Sequence, residues 1–123
     1  RRRYIQSQYN ERLNERIQRP PHSDTVQYYI ARIPEHRSFA PDMSGSVIAK
    51  RDGLIDYLAD KNIHTSVHFK PLHKYGILRQ TNYRDYPVAD NIWESLISLP
   101  CHPAMTDEDI DYVIYWVNKY FEG

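Results

Sequence analysis

Stretches with helical periodicity alternate along this chain with short runs of β-branched and aromatic residues, and that alternation constrains the fold most. Ile5, Tyr9, Leu13 and Ile17 recur every fourth residue among Glu, Arg, Gln and Asn, which predicts a helix over 3–17. The Pro20-Pro21 pair cannot continue it. "TVQYYIARI" (25–33) reads as a strand; Val26, Tyr28 and Ile30 share one face and Tyr29, Ala31 and Ile33 the other. Both faces are apolar, which predicts a strand covered on both sides. Arg51, Leu54, Ile55 and Leu58 form the i, i+3, i+4, i+7 stripe of a second helix, Ile48 to Lys61, with Asn62 as its stop. "IHTSVHF" (63–69) follows as a strand, then a long irregular connection over 70–86. Pro87 starts a helix that turns Val88, Ile92 and Leu96 inward, and "LISLP" leaves it as a short strand. Thr106 caps a last helix that buries Ile110, Val113, Ile114, Val117 and Phe121. Its acidic start at 107–109 and Lys119 near its end complement the helix dipole.

The order α-β-α-β-α-β-α predicts an α+β layer of about three strands with helices packed on one face. With 123 residues there is room for one domain. Sixteen basic residues balance sixteen acidic ones, which argues against general nucleic-acid binding, since phosphate attraction needs a cationic excess. Arg1-Arg2-Arg3 is a local charge run of the kind that forms a solvated helix start. No stretch approaches the roughly 20 apolar residues of a membrane span. The single cysteine, Cys101, excludes an internal disulfide framework and reads as a structural thiol in a reducing, cytoplasmic setting. Eleven tyrosines beside only four glycines hint at surfaces that meet a partner.

Chemistry concentrates in "HTSVHFKPLHKYGI" (64–77), which carries three histidines. His64 and His68 would share a helix face, but the residues between them are strand-forming. Four residues of strand span about 13 Å, too far for two ligands of one zinc ion. No Cys-x-x-Cys or His-Glu-x-x-His motif supports a metal site, so none is expected. A hydrolytic triad needs a nucleophile on a sharp turn, and no serine has that context. Phosphate cradles of the Gly-rich and Walker types are also absent.

Taken together, several motifs in order resemble the C-terminal region of DegT/DnrJ/StrS-type PLP-dependent sugar aminotransferases. The residues that carry the likeness are Arg51 at the head of a helix, Ile63 with Thr65, and the turn from His68 through His73. Pro87 with Ala89, the Ser98-Leu99-Pro100 strand end and the run from Met105 to Asp109 follow. "YNERL" (9–13) is similar to the family's linker helix, so the likeness runs the length of the chain. "KYGI" (74–77) departs from the family, which often has a proline and an aromatic there.

The resemblance implies the small C-terminal domain of a fold-type I aminotransferase. Residues 1–20 would be a linker helix from a large domain and 21–123 the small domain itself. In such enzymes PLP is bound by a lysine of the large domain. None of the lysines here, at 50, 61, 70, 74 and 119, lies in a motif of that kind. No catalytic or cofactor-binding residue is therefore expected in this segment, which alone would be inactive and hold no PLP. His68, Lys70 and His73 would lie on the turn facing the substrate cleft and contact a nucleotide sugar. His22, His36, His64 and His102 read as surface or packing residues. The implied activity is transfer of an amino group, from glutamate, to a keto-sugar nucleotide in amino-sugar or surface-polysaccharide synthesis. The implied partners are the large domain, the nucleotide sugar and a second subunit, with neither nucleic acid nor membrane. The competing reading is a free-standing binding or oligomerisation module derived from that domain.

Overall fold

The computed structural model describes residues 1–21, 27–33, 47–68 and 92–122. Their elements run α1 (Arg2–Arg12), β1 (Tyr29–Arg32), α2 (Val47–Asp60), β2 (Leu96–Leu99) and α3 (Asp107–Glu122). Residues 92–95 form a helical turn that leads directly into β2.

β1 and β2 pair antiparallel, with Tyr29 opposite Leu99, Ile30 opposite Ser98, Ala31 opposite Ile97 and Arg32 opposite Leu96. Single bridges extend the pair on either side. Gln18 bonds reciprocally with Arg32 on the outer edge of β1, and Ser66 with Ser98 on the outer edge of β2. The expected strand over 63–69 is thus reduced to one bridge at Ser66 among the described residues, although it lies beside β2 as a third strand would.

Directly opposed residues of an antiparallel pair share a face. Tyr29, Ala31 and Ile33 with Ile97 and Leu99 are buried in one core with Ile5, Tyr9, Leu54, Leu58, Ile110, Val113, Ile114 and Val117. On the opposite face Tyr28 is 44% exposed, Ile30 half-buried and Ser98 buried. Apolar residues on both faces of β1 predicted full cover, and the described helices supply it on one face only.

α1 ends at Arg12, not at residue 17. Leu13 is already extended, at φ −66° and ψ 151°. The amide of Asn14 donates to the side-chain oxygen of Asn118 at 2.6 Å. The guanidinium of Arg19 then gathers carbonyls of the helix end and of the turn beyond it: Asn10 at 3.2 Å, Asn14 at 2.8 Å, Ile17 at 2.6 Å, and Leu13. Leu13 and Ile17 still enter the core from this turn, so the four-residue spacing survives without the helix. The apolar stripe of α1 is covered by the rest of the chain, which would otherwise have left it in need of a neighbour.

α2 closes as expected at Asn62, whose φ of 62° is left-handed. Ile63 N–H donates to Leu58 and Asn62 N–H to Ala59, the paired bonds of a Schellman closure. Arg51 is 6% exposed; its Nη1 donates to the Trp93 carbonyl at 2.8 Å and its guanidinium lies 5.2 Å from the Trp93 ring. This arginine ties α2 to the turn before β2. Ile92, expected inside, is 39% exposed. Ser95 is buried instead, donating to Ile92 O and accepting from Arg32 Nε. Pro87, Val88 and the connection from 70 lie outside the described residues.

α3 follows its expected pattern. Thr106 Oγ1 accepts from the Asp109 amide at 3.1 Å, while Asp109 Oδ2 accepts from the Thr106 amide at 2.9 Å. This reciprocal cap is a capping box. It holds the Asp109 carboxyl below its ordinary range, chiefly through the backbone hydrogen bond from Thr106. Ile110, Val113, Ile114 and Val117 are buried, and Phe121 packs partly against the core.

Candidate functional site: the open face of the sheet

The half-covered face of the sheet collects the polar groups that a ligand could meet. Ser66 and Ser98 oppose each other across their bridge, so their side chains lie on the same side of the sheet. Strand periodicity returns residue 68 to that side as the diagonal neighbour of Ser98. His68 is half-buried there, and its Nδ1 lies 2.9 Å from Ser98 Oγ. Ile30 is the cross-strand partner of Ser98, and Tyr28 stands two residues further along the same face. The Tyr28 ring lies 4.5 Å from the His68 ring, tilted by 30°. The imidazole is therefore held at one edge by a hydroxyl and across its plane by an aromatic ring. An imidazole can donate or accept a hydrogen bond.

Ser98 is itself 5% exposed, and its strand is bordered by β1 on one side and by Ser66 on the other. Its hydroxyl is a fixed partner for His68. Sequence reasoning singled out His68 but took Ser98 only as part of a motif and Tyr28 only as a strand residue. The signal was available in part: alternation puts 28, 30 and 98 on one face once the β1–β2 register is known, and the register is a tertiary fact.

Lys70 and His73 lie outside the described residues, as do His22 and His36. His64 and His102 are exposed, as expected. They border a groove with Asn62, Pro100, Met105, Asp109 and Tyr112. Among the described residues no three His, Cys, Asp or Glu side chains converge as metal ligands would. Cys101 is buried, and burial pushes its thiol above the ordinary value, as suits a structural cysteine.

A PLP site would need a lysine in a desolvated pocket with donors for a phosphate. Lys61 instead spreads its ammonium over the Trp116 ring at 4.3 Å and the Tyr57 ring at 5.6 Å. Lys119 is exposed on α3. Neither Lys61 nor Lys119 fits the cofactor.

Among the described residues no helix is long and apolar enough to cross a membrane. The chain is 40% identical over 77 residues to the spore coat polysaccharide biosynthesis protein SpsC of Bacillus subtilis, covering 59% of this chain and 20% of that protein. It is 31% identical over 74 residues to a dTDP-3-amino-3,6-dideoxy-alpha-D-galactopyranose transaminase of Aneurinibacillus thermoaerophilus, covering 59% of this chain and 20% of the other. The fold matches the Streptococcus pneumoniae protein Spr1654, solved in its PLP form, with a TM-score of 0.78 and 28% identity over 98% of this chain. It also matches the Helicobacter pylori aminotransferase PseC with a TM-score of 0.79, where 22% identity supports the fold alone. The chain thus spans 20% of those two relatives and 30% of the Spr1654 structure. The family model for DegT/DnrJ/EryC1/StrS aminotransferases matches residues 1–118, and this chain belongs to that family.

Proposed function

We propose that this chain is the small C-terminal domain of a PLP-dependent aminotransferase that moves an amino group from glutamate to a keto-sugar nucleotide. Residues 1–20 would be the linker from a large domain that holds the cofactor, and 21–123 the small domain. The observation that carries this reading is the family match over residues 1–118. Relatives whose names specify transaminases of dTDP- and UDP-linked sugars support the substrate class. The cofactor would be held by the large domain of a cytoplasmic, homodimeric enzyme. His68, Lys70 and His73 would meet the nucleotide sugar.

The test is to supply the enzyme containing this segment with PLP, glutamate and a nucleotide-linked keto-sugar, and to follow formation of 2-oxoglutarate. This segment alone is expected to give no turnover and to lose PLP on gel filtration. Cofactor retained and reducible onto one of its lysines would overturn the division of labour. A folded segment that associates with partners while no enzyme containing it turns over would favour a non-catalytic module.

His68→Ala tests the site. A hydrogen bond to a charged group is worth about 1.5–3 kcal/mol, so kcat/KM of the enzyme should fall roughly tenfold to a hundredfold. The melting temperature should change little. A lower melting temperature with kcat/KM within about twofold of the parent, well short of a tenfold step, would reduce His68 to a wall residue.

A further inference from the structure

We infer that Ser98 and Tyr28 are positioning residues for His68, fixing the orientation of the ring that meets the substrate. The inference rests on the functional reading above for its catalytic consequence, but the positioning itself can be measured without it.

The geometry is specific to this face. Ser98 is buried at 5% exposure, and its backbone is bonded to Ser66 on one side and lies opposite Ile30 on the other. A hydroxyl on so constrained a strand cannot follow the histidine if the ring turns. Rotating the imidazole by half a turn would replace Nδ1 with a carbon opposite Ser98 Oγ, forfeiting the 2.9 Å contact. Tyr28 closes the remaining freedom: at 4.5 Å between centroids and 30° between planes, its ring restricts tilting of the imidazole. A serine hydroxyl can either donate to a ring nitrogen or accept from it, so the contact fixes which edge of the imidazole faces β2, whichever nitrogen carries the proton. Neither Ser98 nor Tyr28 needs to touch substrate.

The test is the set of nuclear Overhauser contacts of the His68 ring protons in the isotope-labelled chain. With Nδ1 toward Ser98, the proton on Cε1 should contact the Ser98 β-protons and the proton on Cδ2 should not. In Ser98→Ala the ring is free to turn over, and both ring protons should contact residue 98. Ser98→Thr, which keeps a hydroxyl on a strand, should return the one-sided pattern of the parent. Tyr28→Ala, at an exposed position, should remove the aromatic ring-current shift from the His68 protons. Equal contacts from the two ring protons in the parent would overturn the inference even if Ser98→Ala failed to fold. So would the parent's one-sided pattern in folded Ser98→Ala.

In the enzyme containing this segment, Ser98→Ala should lower kcat/KM toward the His68→Ala level, and the double variant should lose little more. Additive losses would mean that Ser98 acts independently of His68, against the inference. If His68→Ala leaves kcat/KM intact, the functional reading fails, while the ring spectrum still decides the positioning.

Discussion

Tyr9 shows how one side chain joins two distant parts of the chain. Its ring is fully buried and meets Tyr29 edge-on at 4.9 Å, while its hydroxyl donates to the Pro100 carbonyl at 2.6 Å. Tyr29 in turn donates to Asn10 Oδ1 at 2.8 Å, back onto α1. Tyr9→Phe keeps the ring and leaves a carbonyl without this donor, so it should cost about 1–3 kcal/mol in urea unfolding. Tyr9→Ala should cost roughly 3–5 kcal/mol, as for other large aromatic truncations in cores. Equal costs for the two would show that the ring contributes nothing beyond its hydroxyl. The tyrosine count, taken alone, pointed to partner surfaces; Tyr9 and Tyr29 belong to the core instead. A tyrosine is legible as amphipathic, but which carbonyl receives its hydroxyl is settled by a residue some ninety positions away.

At the scale of elements, α2 and α3 approach through Gly53. A Cβ placed there would come within 2.8 Å of the Tyr120 hydroxyl. Tyr120 also packs against Tyr57 at 5.3 Å, within the aromatic layer that carries Lys61 over Trp116. Gly53→Ala removes a helix-interior glycine, worth about 0.5–1 kcal/mol, but forces the Tyr120 hydroxyl to move. The single substitution should therefore yield little or no net stability and should perturb Trp116 fluorescence. Combined with Tyr120→Phe it should show its helix-propensity gain, measured as a rise in unfolding midpoint over Tyr120→Phe alone. No difference between the two backgrounds would count against the close approach. α3 was legible because its apolar period, acidic first turn and Thr106–Asp109 cap all agree. The end of α1 was not, because Asn118 of α3 takes the amide of Asn14 and Arg19 takes the carbonyls. Periodicity cannot distinguish a helix from a turn that returns Leu13 and Ile17 to the same core.

For the whole molecule, the joint burial of Tyr9 and Tyr29 predicts an alkaline limit to stability. Burial is the main cause that pushes Tyr29 from its ordinary 10.0 up to about 12; nearby Arg19 opposes this and Cys101 adds to it. Tyr9 is raised in the same direction, again chiefly by burial. The unfolded chain releases these protons first. The contribution is therefore complete below pH 10 and is lost as pH rises through the folded value near 12. Tyr29→Phe should flatten the fall of unfolding free energy over that window. An unchanged slope, with phenolate absorbance growing before near-ultraviolet dichroism is lost, would contradict burial of these hydroxyls. By itself the sequence determined the existence and order of α1, β1, α2, β2 and α3, the stop at Asn62, the cap at Thr106 and the family, because these depend on neighbours within a few residues or on motif order. Only the tertiary structure decided that 63–68 makes one bridge, that the described helices cover one face of β1, and that Tyr28, His68 and Ser98 meet on the other. Those outcomes depend on strand register, and register is set by packing between residues far apart in the chain.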